Sequence, residues 1–151
     1  MASYKLGRMY ERGRGVSIDH KKAFSWYLRA AELGNTDAQL KLGWMCEFGR
    51  GTTLSKEEAL RWYTMAAEQG NPSAQYNRSG QLVAKNEEEA LRWYTAAAEQ
   101  GHTDARLTLG ATAAQQGRGE EAVRWYTTAA EGNSAKAQFI LGGLYEQGQF
   151  V

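Results

Sequence analysis

The feature that most constrains this chain is an internal repeat built around the dipeptide Trp-Tyr. The dipeptide occurs four times, at steps of 36, 31 and 32 residues. In every copy an alanine lies three residues before the tryptophan, and two alanines lie four and five residues after it. Self-similarity at this period indicates stacked supersecondary units, each too small to bury its apolar face alone. The four tryptophans are Trp26, Trp62, Trp93 and Trp125.

Each unit is predicted to contain two helices. A second alanine lies 12 residues after each Trp, and the residues four and eight positions after it share its helix face, as in Ala38, Leu42 and Cys46. The segment that begins at this alanine is predicted to form the other helix, helix A. The Trp-Tyr segment forms helix B. The pattern predicts four helix pairs and a final helix A over about 137–147, in a single solenoid domain over 1–151. The repeats cover 2–37, 38–73, 74–104, 105–136 and a partial 137–151.

Glycines and capping residues mark the helix boundaries. Ser55 with Glu58 and Asn86 with Glu89 fit a capping pattern, while Asp19 and Gly119 are the predicted caps of the other two B helices. Helix A ends at a glycine in most copies, and helix B ends at Gly34, Gly70, Gly101 and Gly132. A small residue follows the helix-A leucine position and predicts a close helix crossing; these residues are Gly7, Gly43, Ser79, Gly110 and Gly142.

Charge and composition exclude several classes of partner. The 18 basic and 17 acidic residues are mixed along the sequence, so no nucleic acid or anionic membrane is expected as a partner. No apolar run is long enough to insert into a bilayer. The N-terminus lacks a signal-peptide core, which weakly favours the cytoplasm, although a periplasmic or secreted parent protein stays open and the compartment is not assigned.

The sequence lacks the side-chain sets that enzymes and metal sites need. His20 and His102 have no further ligand at a suitable spacing, and no Ser/His/Asp set or phosphate loop occurs. Cys46 lies on the packing face of helix A and is interpreted as a small buried hydrophobe. We therefore expect no enzyme activity, cofactor or metal.

The recurring positions resemble the Sel-one-like repeat, a relative of the tetratricopeptide repeat. The first unit shows Ala-x-x-x-Leu-Gly-x-x-Tyr-x-x-Gly-x-Gly-Val over 2–16 and Asp-x-x-Lys-Ala-x-x-Trp-Tyr-x-x-Ala-Ala-Glu-x-Gly over 19–34, and Ala-Gln opens three later units. The resemblance covers essentially the whole chain. It implies an all-α, right-handed α/α superhelical solenoid that acts as a non-enzymatic scaffold or adaptor for protein complexes.

A second face of helix A, two, six and ten residues after its alanine, is expected to line the concave groove of the stack. Aromatic and basic groups gather on this face in the first two and a half units. The predicted contact patch for a protein segment or peptide with apolar side chains near a carboxylate consists of Arg8, Arg12, Trp44, Phe48 and Tyr76. The first position of the face is also interpreted as packing between neighbouring A helices, through Tyr4, Leu40, Tyr76, Leu107 and Phe139.

Other interpretations of the same pattern stay open. Self-association through exposed end repeats would make the chain a structural homo-oligomer, and the aromatic groove could instead bind a small molecule or glycan. The absence of dedicated polar caps favours a fragment of a longer array over a complete protein. Arg78 stands where a leucine is expected and must find an acceptor or snorkel to solvent.

Overall fold

The chain is described by a computed structural model that covers residues 2–148. These residues form helices and no strands, which confirms the all-α fold class. Residues 149–151 of the partial last repeat lie outside the described residues. The helices are α1 Ala2–Arg12, α2 His20–Glu32, α3 Thr36–Phe48, α4 Lys56–Glu68, α5 Pro72–Leu82, α6 Glu87–Glu99, α7 Thr103–Gln115, α8 Gly119–Glu131 and α9 Ala135–Glu146.

The helices group into two compact units, Met1–Arg78 (unit 1) and Ser79–Val151 (unit 2), and the boundary falls inside α5. In unit 1, α1 packs on α2 and α3 packs on α4. In unit 2, α8 packs against both α7 and α9. The prediction of one domain over 1–151 stays a prediction.

Side-chain caps begin most of these helices, as the sequence predicts. Asp19 accepts a hydrogen bond from the Lys22 backbone N–H at 3.0 Å, and Ser55 and Asn86 cap α4 and α6 in the same way. The prediction for Gly119 is wrong, because this buried glycine is the first residue of α8. Its N-cap residue is Arg118, which makes no side-chain cap bond.

Left-handed residues reverse the chain after the helices. Gly34, Gly70 and Gly101 have φ between 89° and 92° after the B helices, as predicted. Gly132 is the exception, since its φ is −80° and Asn133 takes the left-handed conformation with φ 66°. In the fourth unit the glycine stands one residue earlier, so that Asn133 occupies the left-handed position, and asparagine tolerates this conformation better than most side chains.

In three of the four Trp-Tyr pairs, the tyrosine packs against the small residue of the preceding helix A. A Cβ added at Gly7 would lie 2.6 Å from the Tyr27 ring, and one at Gly43 would lie 2.4 Å from the Tyr63 ring. A Cβ at Gly110 would lie 2.8 Å from Tyr126. The close crossing predicted from the recurring glycine is therefore confirmed in α1, α3 and α7.

The Ala-Gln dipeptide that opens an A helix links it to the preceding helix B. The buried Gln39 amide donates to the Ala31 carbonyl at 3.2 Å and accepts from the Gln69 amide at 2.9 Å. Gln75 donates in the same way to Ala67. Each glutamine therefore adds a second hydrogen bond to a helix-B carbonyl that also accepts from a glycine N–H of the turn, Gly34 for Ala31 and Gly70 for Ala67.

Candidate partner-binding surface

Trp44 and Phe48 form an aromatic pair on α3. Their ring centroids lie 5.5 Å apart with the planes tilted by 56°, as expected for side chains four residues apart on a helix. Trp44 is half-buried, whereas Phe48 keeps 56% of its surface exposed. The structure thus brings two of the predicted contact residues together at the surface of unit 1.

A guanidinium group lies over the Trp44 ring of this pair. The Arg50 guanidinium carbon is 4.8 Å from the Trp44 ring centroid, and the Lys41 ammonium is 5.9 Å from the same ring. Arg50 reaches back over α3 because Gly49 and Gly51 both adopt positive φ, at 66° and 71°. Sequence reasoning treated these glycines only as turn residues and missed Arg50, since helical spacing does not predict contacts across a reversed loop.

Lys41 also links α3 to α1. Its ammonium lies 2.9 Å from one carboxylate oxygen of Glu11, whose other oxygen accepts from the Tyr27 hydroxyl at 2.7 Å. Burial raises the pKa of Glu11, but the hydrogen bonds from Tyr27 and Lys41 outweigh burial, so that the net pKa is lowered. Glu11 therefore stays ionised and is engaged within unit 1.

Arg8 and Arg12 share a shallow recess on α1. Lys5, Met9 and Arg14 complete its lining, and its volume is about 170 Å³. Both arginines are exposed. Among the described residues none of the four cations forms an ion pair, because Glu11 faces Tyr27 and Lys41 instead. The recess presents uncompensated positive charge to solvent.

The first position of the predicted groove face does not behave uniformly. Tyr4 packs on Tyr27 with ring centroids 5.6 Å apart, and Leu40 packs against the core around Tyr63. Tyr76, the fifth predicted contact residue, is half-buried on α5. The prediction that this position packs between neighbouring A helices is wrong for Phe139. Its side chain is 84% exposed, because no described helix covers this side of α9.

Positive charge concentrates in unit 1. Residues up to Arg78 include 12 basic and 8 acidic side chains, whereas residues from Ser79 onward include 6 basic and 9 acidic ones. The overall charge of +1 therefore conceals a net charge of +4 in unit 1 and −3 in unit 2. Charge counted over the whole chain missed this difference, since the boundary between the units is a property of the fold.

The remaining candidates have structural roles. Cys46 is 4% exposed beside Ala59 and Tyr63, which confirms the interpretation of a buried thiol, and burial raises its pKa. His102 caps α7 through Nδ1, which accepts from the Ala105 N–H at 3.2 Å. Arg78 finds the acceptor that the sequence demands, the Thr64 hydroxyl at 2.9 Å.

Residues 2–148 contain no cluster of potential metal ligands and no helix that could span a membrane. No three potential metal ligands from His, Cys, Asp and Glu come together in this part of the chain. No helix there has both the length and the apolar character that crossing a bilayer requires.

The family model of the Sel1 repeat matches most of the sequence, over residues 1–35, 36–71, 72–102, 119–134 and 135–151. The chain is a Sel1 repeat protein. The model does not match 103–118, which includes α7 and the turn before α8. In this segment Arg106 replaces the usual glutamine, yet its Nε still donates to the preceding Ala98 carbonyl at 3.0 Å.

Solved structures of other Sel1 repeat proteins are similar to this one. A Sel1 repeat protein from Oxalobacter formigenes is 33% identical with a TM-score of 0.92, over 99% of this chain and 64% of that protein. The protective antigen c5321 of uropathogenic Escherichia coli, which displays an SLR fold, is 35% identical with a TM-score of 0.87, over 97% of this chain and 33% of the antigen. This Sel1 repeat chain thus spans about two thirds and one third of the lengths of these relatives.

A more distant similarity concerns the fold alone. The immunity protein Pa5087 from Pseudomonas aeruginosa is 20% identical with a TM-score of 0.71, over 96% of this chain and 58% of that protein. The curated proteins provide no sequence match. Sel1 repeat proteins are generally scaffolds for protein interactions and are typically non-enzymatic.

Proposed function

We propose that this Sel1 repeat protein binds an acidic segment of a partner protein on the A-helix face of unit 1. Arg8, Arg12, Trp44, Phe48 and Tyr76 form the main contact surface, which is the face assigned to the concave groove from the sequence. The observation that carries the proposal is the Trp44–Phe48 pair, in which Phe48 is exposed and the Arg50 guanidinium lies over the Trp44 ring.

The aromatic pair supplies the apolar part of the recognition. Tryptophan, tyrosine and arginine are the residue types enriched at binding hot spots. Phe48 still exposes more than half of its surface, and covering it with an aliphatic or aromatic side chain of the partner would remove that area from water. Trp44 is already fixed by Phe48 and Arg50, so that little side-chain entropy is lost when a partner binds.

The cations supply the polar part. Arg8 and Arg12 have no ion pair among the described residues, and unit 1 as a whole carries +4. A carboxylate brought to the recess on α1 would meet guanidinium groups that can donate two parallel hydrogen bonds. Lys41 connects the two parts, since it contacts both Glu11 on α1 and the Trp44 ring on α3.

A peptide-library selection on the immobilised chain tests the proposal. The expected result is enrichment of peptides in which acidic residues neighbour an aromatic or aliphatic one, with affinity that falls as salt rises. The double variant Trp44→Ala/Arg12→Ala should weaken these peptides by more than tenfold, because each truncated hot spot costs more than about 1 kcal/mol.

The chain offers a matched control on another helix. Trp26 and Arg29 on α2 form the same kind of pair, with the guanidinium carbon 5.4 Å from the ring centroid. Trp26→Ala/Arg29→Ala should retain the selected peptides. Equal losses in both double variants would contradict the assigned surface. A mass that grows with concentration, in the absence of any enriched peptide, would favour the homo-oligomer instead.

A further inference from the structure

Arg50 is carried by a loop whose backbone is fixed at both ends and in the middle. The Arg50 backbone N–H donates to the Met45 carbonyl at 2.9 Å, and a hydrogen bond of 2.8 Å joins Ser55, at the other end of the loop, to the same last turn of α3. Between them Gly51 lies so close to the start of α2 that an added Cβ would collide with the His20 carbonyl. These contacts fix the point from which the Arg50 side chain starts.

The Arg50 guanidinium keeps its hydrogen-bond donors available while it contacts a ring. Its carbon lies 4.8 Å from the Trp44 ring centroid. The side chain is exposed, and no acceptor within residues 2–148 takes a hydrogen bond or an ion pair from it. Lys41, the other cation at this ring, is neutralised by Glu11 at 2.9 Å. Of the two cations that contact Trp44, Arg50 is therefore the one that can receive a carboxylate.

The loop and the ring prepare Arg50 for this role. An unattached surface arginine loses rotamer freedom when it forms an ion pair, which is one reason why exposed ion pairs stabilise little. Arg50 is already held by its loop and by Trp44, so that less freedom is lost when a carboxylate binds. Its planar fork can then donate two parallel hydrogen bonds to the carboxylate.

Arg50 and Phe48 are close enough to contact neighbouring residues of one partner segment. The centroid of the Trp44 ring lies 5.5 Å from that of Phe48 and 4.8 Å from the guanidinium carbon. The guanidinium is therefore within about 10 Å of the Phe48 ring, which is the length of about three extended residues. A side chain that covers Phe48 and a carboxylate that binds Arg50 can thus come from nearby positions of the same extended segment.

The other loop arginines have different surroundings. Arg14 stands at the position of Arg50 in the first repeat, but Arg8 replaces the tryptophan there, so that a second cation takes the place of the ring. Arg118 precedes α8, and its guanidinium pairs with Glu121 at 2.6 Å. Of these three loop arginines within residues 2–148, Arg50 is the one that combines an aromatic ring with a guanidinium that no carboxylate neutralises.

We propose that Arg50 determines the specificity of the unit 1 surface for an acidic residue of the partner. Its guanidinium, held on Trp44, binds the side-chain carboxylate of an aspartate or glutamate that lies within about three positions of the apolar residue covering Phe48. Arg8 and Arg12 on α1 are left to bind a further carboxylate of the same segment. This inference rests on the proposed function, since it specifies the sequence that this surface selects.

A charge reversal tests the assignment. A library of random linear peptides is selected in parallel on the original chain and on Arg50→Glu. The original chain should enrich aspartate or glutamate close to the apolar residue, and Arg50→Glu should enrich lysine or arginine at the same positions. Arg29→Glu is the matched control, because Arg29 also lies over a tryptophan, Trp26, at 5.4 Å but on α2, and it should select the same peptides as the original chain. A role of Arg50 in stability alone would not change the type of residue selected.

Affinities of one selected peptide isolate the contact. Arg50→Gln should bind the peptide about tenfold more weakly, since hydrogen bonds to a charged group are lost. The same substitution should have little effect on a peptide in which the neighbouring acid is replaced by its amide. Gly51→Ala should also weaken the acidic peptide, because the added Cβ displaces the loop that carries Arg50. Gly15→Ala is its control, since Gly15 has a similar positive φ but its Cβ would meet only the Met9 side chain, at 4.0 Å.

The outcomes separate this inference from the proposed function. Enrichment of acidic residues at the same positions by both the original chain and Arg50→Glu would overturn the role of Arg50 and leave the proposed function in place. The absence of any enriched peptide would overturn both. Equal losses for the acidic peptide and its amide in Arg50→Gln would assign Arg50 to the structure of the loop and refute its contact with the carboxylate.

Discussion

Replacing Gly43 by alanine reverses the usual effect of this substitution in a helix. In an unobstructed helix the change stabilises by about 0.8–1 kcal/mol, because alanine has the higher helix propensity. At Gly43 the new Cβ would lie 2.4 Å and 2.5 Å from two carbons of the Tyr63 ring. One of the two helices or the ring must therefore move.

The structure leaves the ring little room for that movement. Tyr63 is fully buried, and its hydroxyl donates to Glu47 at 2.6 Å. Overpacking of a tight core costs about 1–3 kcal/mol, and loss of a hydrogen bond to a charged group costs about 1.5–3 kcal/mol. After the gain in helix propensity is subtracted, overpacking alone leaves a net destabilisation of up to about 2 kcal/mol, and any loss of the hydrogen bond adds to it.

Thermal and urea unfolding followed by far-ultraviolet circular dichroism measure this cost. About 2 kcal/mol corresponds to a fall in Tm of roughly 4–8 °C for a chain of this size. Gly142→Ala is the control, since its Cβ meets nothing within 4 Å, and this variant should be as stable as the original chain or more stable. Equal stabilisation by both substitutions would refute the reasoning that tyrosine packing requires the recurring glycine.

Three further predictions follow from single side chains. Burial lowers the pKa of His102, although the negative charge of Asp104 opposes this shift. The contribution of His102 to stability should therefore be complete above the unfolded pKa of about 6.5 and lost as pH falls through the lower folded pKa. Unfolding curves measured across that pH range should lose this dependence in His102→Asn, which copies the cap residue Asn35. Gln39→Ala should lower the free energy of unfolding by about 0.5–1.5 kcal/mol in urea titrations, because the Ala31 carbonyl keeps only its bond from the Gly34 N–H and the Gln69 amide loses one acceptor, and an unchanged midpoint would contradict this. Cys46 should react with a thiol reagent only as fast as the fold opens, because it is 4% exposed and burial raises its pKa; labelling that is complete in native buffer as quickly as in denaturant would disprove its burial.

Much of the fold can be predicted from the sequence because the same residue types recur at the same positions in several repeats. A single glycine inside a helix is ambiguous, but Gly7, Gly43 and Gly110 at one position of the frame indicate a shared cause, and the tyrosine ring is that cause. Helix boundaries are predicted less well where one repeat departs from the others. At the fourth junction Gly132 stands one residue early and Asn133 takes the left-handed conformation, and Gly119 is the first helical residue rather than the cap.

The candidate surface was predicted less completely than the fold. Helical spacing placed Trp44 and Phe48 together, because residues four apart share a helix face. The same reasoning could not find Arg50, whose position depends on two left-handed glycines in the following loop. Nor could it find the Lys41–Glu11 pair, whose members lie 30 residues apart in sequence.

The sequence by itself determined the helical repeat, the family and a close helix crossing at the recurring small residue, because these depend on periodicity and on the size of the side chain at one position of the repeat. Only the tertiary structure decided which charges are neutralised and at which of the recurring glycines a tyrosine ring packs. Glu11 and Glu146 occupy the same position of the repeat, yet one binds a tyrosine and a lysine while the other is exposed. The difference lies in whether another of the described helices covers that face, and a repeated sequence gives the same residue in both situations.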